Sequence, residues 1–218
     1  KANIRVFSDI SDNNSMPVHY LFLTFEEMPE LEKQALSLCK GKVLDVGAGA
    51  GCHSLVLQER GVPVFAQDIS ELCCQIMKQR GIKNVINDDF FSYTGIRFDV
   101  VIMLMNGIGI AGNLQGLKSF FQHLRKLLSP GGVVVFDSSD LSYLYQNKDG
   151  SLWLNLAKEY YGELRYQMCY KNICSDYFNW LFIDFETLYT IAEKYGFECV
   201  LLAEGKHYDY LGMLRIKS

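Results

Sequence analysis

Residues 42–55 read KVLDVGAGAGCHSL, and the reading of this stretch decides the fold. Val43, Leu44 and Val46 make a short apolar run, broken by Asp45, of the kind that forms a strand buried on both faces. Gly47, Gly49 and Gly51 follow at alternate positions. Ser54, Leu55, Val56 and Leu57 then open a helical run that reaches Arg60, with Gly61 as its stop. Strand, glycine turn and helix form the unit by which an α/β protein brings its backbone close to a nucleotide-like ligand, because residues without Cβ allow the approach.

The spacing separates two kinds of ligand. A dinucleotide fingerprint, G-x-G-x-x-G, needs its third glycine at position 52, which is Cys52, so a nicotinamide-dependent oxidoreductase is disfavoured. The pattern is instead D-x-G-x-G-x-G counted from Asp45. An acid at the strand end, ahead of the glycines, suits a ligand with an ammonium group better than one with a pyrophosphate. In this form the stretch resembles the first motif of the class I S-adenosylmethionine-dependent methyltransferases. The run LRKLLSPGGVVVFD, residues 124–137, resembles a second signature of that family. The resemblance covers residues 42–137 closely and 184–217 in outline.

Further along, Pro63 to Gln67 reads as the second strand, with Asp68 just past it. An acid there, about twenty residues beyond the glycine turn, is placed to accept hydrogen bonds from ribose hydroxyls. Ser70 reads as the N-cap of the following helix and Gly81 as its stop. Val85 and Ile86 give a third strand, followed by Asn87-Asp88-Asp89-Phe90-Phe91. The resemblance places an adenine-binding acid here beside an apolar residue that packs on the ring. Asp89-Phe90 matches best, and Asp88 is a one-residue alternative. Residues 98–105 read as a fourth, fully buried strand running into Asn106-Gly107-Ile108-Gly109. By resemblance Asn106 lies near the transferred methyl group; Asn as a strand-ending turn former is the competing reading. The cofactor-binding set implied is Asp45, Gly47, Ala48, Gly49, Gly51, Asp68, Ile69, Asp88, Asp89, Phe90, Met105 and Asn106, with S-adenosylmethionine as cofactor and no metal.

Leu114, Leu117, Phe121, Leu124 and Leu128 recur as one face of an amphipathic helix. Ser129-Pro130-Gly131-Gly132 has the composition of a type II turn, and Val133 to Asp137 is the fifth strand. Ser151 to Tyr161 reads as helix. Leu164, Tyr166, Met168 and Tyr170 then alternate with polar residues, a strand that Lys171-Asn172 turns back into residues 173–183. The aromatic density of this hairpin fits a binding wall, a subunit contact that would make the protein a homodimer, or a cover for the sheet edge. Asp184 caps a helix stopped by Gly196, and two closing strands meet in a turn around Gly205. Residues 1–18 read as irregular. Pro29 to Lys40 reads as helix, with Tyr20 and Phe22 either lining the site or anchoring that helix.

At 218 residues the chain reads as one domain: an N-terminal lid and helix segment (1–41), a cofactor-binding core (42–140), a substrate-side insertion (141–183) and a closing helix and hairpin (184–218). The resemblance implies a Rossmann-like, doubly wound, seven-stranded, mostly parallel sheet with the last strand antiparallel and a hairpin inserted after strand five. A net charge of −4 with no basic stripe weighs against nucleic acid as partner. No apolar run is long enough to span a bilayer, and no export leader is visible. Seven scattered cysteines without a C-x-x-C pair read as reduced thiols in a cytoplasmic setting. The implied activity is methyl transfer to a small-molecule N, O or S nucleophile; a catalytically silent sensor or scaffold that binds the same cofactor is the alternative. Alignment of donor and acceptor does most of the work in such a reaction, so a dedicated base is optional. His19, Tyr161 and His207 are its candidates.

Overall fold

The computed structural model describes residues 2–146 and 159–217. A hairpin, β1 (Asn3–Ser8) and β2 (Ser11–Pro17), opens the chain, and α1 (Glu30–Ser37) follows. Strand and helix then alternate through β3 (Val43–Val46), α2 (Cys52–Glu59), β4 (Val64–Asp68), α3 (Glu71–Gln79), β5 (Val85–Asn87), β6 (Phe98–Met103), α4 (Leu117–Leu127) and β7 (Leu128–Ser139). Next come β8 (Glu163–Tyr170), β9 (Ile173–Cys174) and β10 (Phe178–Leu181), and the chain closes with α5 (Phe185–Lys194), β11 (Phe197–Glu204) and β12 (Asp209–Ile216).

Seven of these strands build the main sheet in the order β11-β12-β7-β6-β3-β4-β5. The β5-β4-β3-β6-β7 pairs are parallel, and β12 runs antiparallel to both its neighbours. This is the doubly wound sheet with an antiparallel last strand that the motifs imply. All four residues of β3 are buried, as a central strand with helices on both faces requires. Leu31, Ala35 and Leu36 of α1 and Val56 and Leu57 of α2 pack on one face, and Met77 of α3 joins them beside β4. Phe120, Phe121 and Leu124 of α4 and Leu188 and Ala192 of α5 pack on the other.

Helix ends follow the local chemistry. Ser70 Oγ accepts the Cys73 N–H at 3.3 Å at the start of α3, and Asp184 Oδ1 accepts the Thr187 N–H at 2.8 Å at the start of α5. Residues 129–132 bulge out of β7, since Leu128 pairs with Phe98 while Val133 already pairs with Val100. Gly131 there has φ +77, the value a type II turn demands at its third position. The expected run of β6 to Met105 stops at Met103, because Met105 and Asn106 both turn left-handed (φ 58 and 59). The helix expected from Ser151 falls, as far as residue 158, outside the described residues.

Two expectations are corrected. Residues 3–17 are not irregular but form the β1–β2 hairpin, and β1 pairs with β8 to make a second antiparallel sheet, β10-β8-β1-β2, with β9 on β8. Its partner strand is most of the chain away, so no local pattern announces the pairing. Cys169 and Cys174 are not reduced thiols: they form a disulfide with Cα atoms 4.1 Å apart. The turn at Lys171-Asn172, with Lys171 at φ 52, places them directly opposite one another across β8 and β9. Five other cysteines are free.

Candidate functional site

In an open α/β sheet ligands settle outside the carboxyl ends of the strands, where the winding reverses direction. Here the reversal lies between β3 and β6. The glycine turn leaves the end of β3 and the left-handed Met105-Asn106 pair leaves the end of β6.

The three glycines divide their work. Gly47 (φ +67) and Gly49 (φ +58) hold left-handed backbone, and a Cβ on either would meet no atom within 4 Å. Gly51 (φ +78) is different: a Cβ there would collide with Ile82 Cδ1. The first two therefore open onto free space above the sheet, and the third lets the loop close onto the core. Asp68 fixes the cradle from the next strand. Its Oδ2 accepts the Gly49 N–H and its Oδ1 the Ser70 N–H, both at 2.8 Å, which leaves acceptor capacity on both oxygens. Asp45 sits deeper and is buried, with Ser54 Oγ donating to its Oδ2 at 2.7 Å. Burial pushes the Asp45 carboxyl above its ordinary value, and the nearby Asp68 charge adds to this, against His53 and Ser54.

On the far side of the cradle Ile69 is 73% exposed next to Asp68, an apolar face turned to solvent. Phe90, expected to pack on a ligand ring, is instead in the core against His123 and Phe120. The reason is the preceding turn. Asp88 Oδ1 accepts the Asp89 N–H at 2.8 Å, while Asp89 accepts from Phe91 N at 3.3 Å and Ser92 Oγ at 3.2 Å, and this local capping swings Phe90 inward.

Asn106 has both ends of its amide committed. Its Nδ2 donates to the Leu181 carbonyl at 3.0 Å, its Oδ1 accepts from Ser138 Oγ at 2.9 Å, and its backbone N–H donates to Asp137 Oδ1 at 2.8 Å. Two consecutive non-glycine residues in the left-handed region cost of order 1–3 kcal/mol each, and these three bonds hold them there. Trp180 of β10 packs on Gly109 in the 3-10 turn that follows, where a Cβ would strike its indole. The insertion is thus tied to the end of β6. Met105 remains 40% exposed at that edge.

Sequence reasoning passed over a buried pair on the α1 face. His53 Nε2 and Glu32 Oε2 lie 2.7 Å apart, both side chains under one-tenth exposed. Burial alone would lower the imidazole's pKa, but Cys52, Glu32 and the Asp45 charge outweigh it and hold His53 well above its ordinary value. One signal existed. Glu32 falls three and four residues before Ala35 and Leu36, on the apolar stripe of α1. Asp137 was read only as a strand end. It is half-buried at the end of β7, and burial pushes its carboxyl up to about 7, with Glu32 raising it and His53 and the Asn106 amide lowering it.

The three base candidates fare differently from these. His19 is exposed beside Glu27, and His207 is exposed on the loop before β12. The Tyr161 hydroxyl donates to Asp140 at 2.7 Å, and burial, Tyr160 and Asp140 drive its pKa far up, so it cannot take a proton. Tyr20 and Phe22 are exposed rather than buried anchors. Phe22 stacks on Arg80, whose guanidinium donates to the Ala50 carbonyl in the glycine turn. Among the described residues no group of three or more His, Cys, Asp or Glu could hold a metal ion, and no helix is long and apolar enough to cross a membrane.

An adenosyl group fits what is present: a left-handed glycine cradle open on its outer side, a carboxylate with spare acceptor capacity beside it, and the exposed Ile69 flank. A family model described as a methyltransferase domain matches residues 18–202. The S-adenosylmethionine-dependent methyltransferase of Bacteroides fragilis, solved in complex with S-adenosyl-L-homocysteine, is 45% identical. Its superposition covers 100% of this chain and 90% of that one, with a TM-score of 0.93. The CcbJ methyltransferase of Streptomyces caelestis shares the fold at 15% identity, with a TM-score of 0.66 over 92% of this chain and 95% of that one. The putative methyltransferase YqeM of Bacillus subtilis is 24% identical over 137 residues, 51% of this chain and 56% of its own. The chain spans about half the length of the curated relatives it matches.

Proposed function

The chain belongs to the S-adenosylmethionine-dependent methyltransferases, with S-adenosylmethionine as its cofactor, and on that premise we propose that it transfers the cofactor's methyl group to a small-molecule N, O or S nucleophile. Gly47 and Gly49, bare of side chains and open at the point where the winding reverses, carry this proposal. Bound there, the cofactor supplies a methyl group already activated by the sulfonium charge. The protein's share is placement. Asp68 offers its spare lone pairs to the ribose hydroxyls while it holds the Gly49 amide. Ile69 gives the adenine an apolar flank, and Asp88 and Asp89 mark the turn at its far edge. Asp45, through Ser54, sets the start of α2 and turns negative charge toward the methionine ammonium.

Asn106 acts as a positioning residue, since its amide is spent on Leu181 and Ser138. The N-terminal segment 1–41 serves as a lid, with Phe22 reaching the glycine turn through Arg80. Residues 159–183 of the insertion, anchored by Trp180, wall the acceptor side. Holding donor and acceptor in line and excluding water can supply several kcal/mol, up to roughly 7–11 for well-oriented partners.

Calorimetry with S-adenosylhomocysteine and, separately, NAD tests the cofactor half. Binding of the first and not the second is expected, and the reverse would overturn it. Transfer of label from methyl-labelled cofactor to one member of a panel of amines, phenols and thiols tests the rest. A protein that binds the cofactor yet labels no acceptor class would point to a sensor instead.

A further inference from the structure

We propose that the amino edge of the main sheet carries a second binding site, for a small phosphate-bearing molecule with at least two negative charges. A cavity of about 760 Å³ lies there, walled by Arg97, Arg125, the turn at 128–132, Glu198 and the Arg215–Lys217 end of β12. Topology brings these residues together. β6 and β7 run parallel, so Arg97, just ahead of β6, and the turn at the start of β7 share one end of the sheet. β12 runs antiparallel to β7 and β11, which sets Arg215 opposite Val133 on one side and Glu198 on the other. The glycine cradle lies at the carboxyl ends of the strands, so the length of β6, six residues or about 20 Å, separates the two places.

Four cations line the cavity, and two carboxylates stand in or beside it: Glu198 pairs with Arg215, and Glu193 with Lys217. Arg97 and Arg125 meet no carboxylate among the described residues. Carbonyls hold them instead. Arg97 Nη1 donates to Leu128 at 3.4 Å, and Arg125 Nη2 donates to Tyr195 at 2.6 Å and Gly196 at 3.2 Å. The Arg125 guanidinium also lies 5.0 Å over the Phe197 ring and close against Gly196, where a Cβ would strike it. Such contacts cancel no charge, and they order the side chain before any ligand arrives. Each guanidinium has five N–H donors, so Arg97, Arg125 and Arg215 keep most of theirs for an anion. Their planar fork matches a pair of phosphate oxygens. Gly131 leaves the turn bare, since a Cβ there would meet no atom within 4 Å. An excess of two positive charges around one void, on a chain of net charge −4, is local placement and not composition. The volume falls within the range of small-molecule sites, about 300–1,000 Å³, whereas a nucleic acid would need a longer run of cations.

Inorganic pyrophosphate is the probe, titrated calorimetrically into the full chain at low salt. It should bind with a Kd below about 1 mM. Arg97→Gln should weaken it at least about tenfold, the effect of removing a hydrogen bond to a charged group. Lys118→Gln, in the first turn of α4 and away from the cavity, should leave it unchanged. Affinity for S-adenosylhomocysteine should stay within about twofold in both variants, because the cradle is a strand length away. Absence of pyrophosphate binding overturns the proposal, as does an equal loss in Lys118→Gln, which would mean bulk charge alone. Citrate bound as tightly as pyrophosphate overturns the choice of phosphate. Should Arg97→Gln fail to fold, Arg215→Gln decides in its place, and pyrophosphate affinity unchanged in that variant is the negative result.

Discussion

Asp137 Oδ1 accepts the backbone N–H of Asn106 at 2.8 Å, so a carboxyl on one strand holds the strained turn at the end of the next. The arrangement has a thermodynamic signature. Burial raises the Asp137 carboxyl from 3.8 to about 7, so the folded chain binds this proton more tightly than the unfolded chain does. Stability contributed here therefore falls as pH rises from about 4 to about 7, and the deficit is complete above that. Asp137→Asn keeps an oxygen for the Asn106 amide and removes the charge. We expect this variant to be more stable than the parent by about 1–3 kcal/mol at pH 8, with partial solvent access trimming the full shift, and the gap to close by pH 4–5. Urea denaturation at pH 8 and pH 5 checks it; an equal gap at both values contradicts the assignment.

The Glu32–His53 pair predicts the opposite sign. Removing one member of a buried ion pair strands the other, at a cost of about 3–5 kcal/mol, whereas replacing both with apolar residues of similar volume is close to neutral. His53→Ala should thus unfold at a much lower urea concentration, and Glu32→Met combined with His53→Phe should recover most of the loss. Because the imidazole's pKa is raised, its stabilising share is fully present below about 6.5 and is lost only as pH climbs through the raised value. A double variant no more stable than His53→Ala would rule out charge as the cause.

Much of the core was legible because its signals are local. The glycine turn, the acid Asp68 that proves to be the last residue of β4, and the caps Ser70 and Asp184 each lie within a few residues of what they control. What was missed depends on distance. Arg5 opposite Cys169, Asn106 with Leu181, and Glu32 with His53 join segments whose own patterns say nothing of a partner. Asn106 is expected from the sequence near the methyl group, and in the structure its amide is bonded to Leu181 and Ser138, a pairing with no local signature. An exposed strand-end asparagine and one whose amide ties two other strands read alike in sequence. The disulfide was hidden for a similar reason: Cys169 and Cys174 face each other only once the turn between them is fixed at Lys171.

Asp68 serves the loop and the proposed ligand together, and its removal should separate the two roles. Asp68→Ala frees the Gly49 and Ser70 amides to bond water, a loss of about 0.5–1.5 kcal/mol per hydrogen bond in stability. It also leaves the ribose hydroxyls without their acceptor. Affinity for S-adenosylhomocysteine should drop by about 1–3 kcal/mol, roughly five- to 150-fold. Asp68→Asn keeps a single acceptor oxygen, so it should retain one of the two loop bonds and recover only part of the stability and of the affinity. Calorimetry and thermal melting on both variants check this, and unchanged affinity in Asp68→Ala would detach Asp68 from the ribose.

Gly47 and Gly51 make the sharpest contrast, because the same substitution should do different things four residues apart. Both are left-handed, so alanine at either costs about 1–2 kcal/mol in backbone strain. At Gly47 the added methyl meets no protein atom and projects into the cradle, where it would displace the ligand. At Gly51 it drives into Ile82 and crowds Met77 in the small core beneath α3, and overpacking of that kind adds about 1–3 kcal/mol. Gly47→Ala should therefore melt only slightly below the parent yet lose most of its affinity for S-adenosylhomocysteine. Gly51→Ala should lose stability first, and its affinity should recover wherever the protein is kept folded by low temperature. If the two variants lose affinity and stability in the same proportion, the cradle does not lie over Gly47.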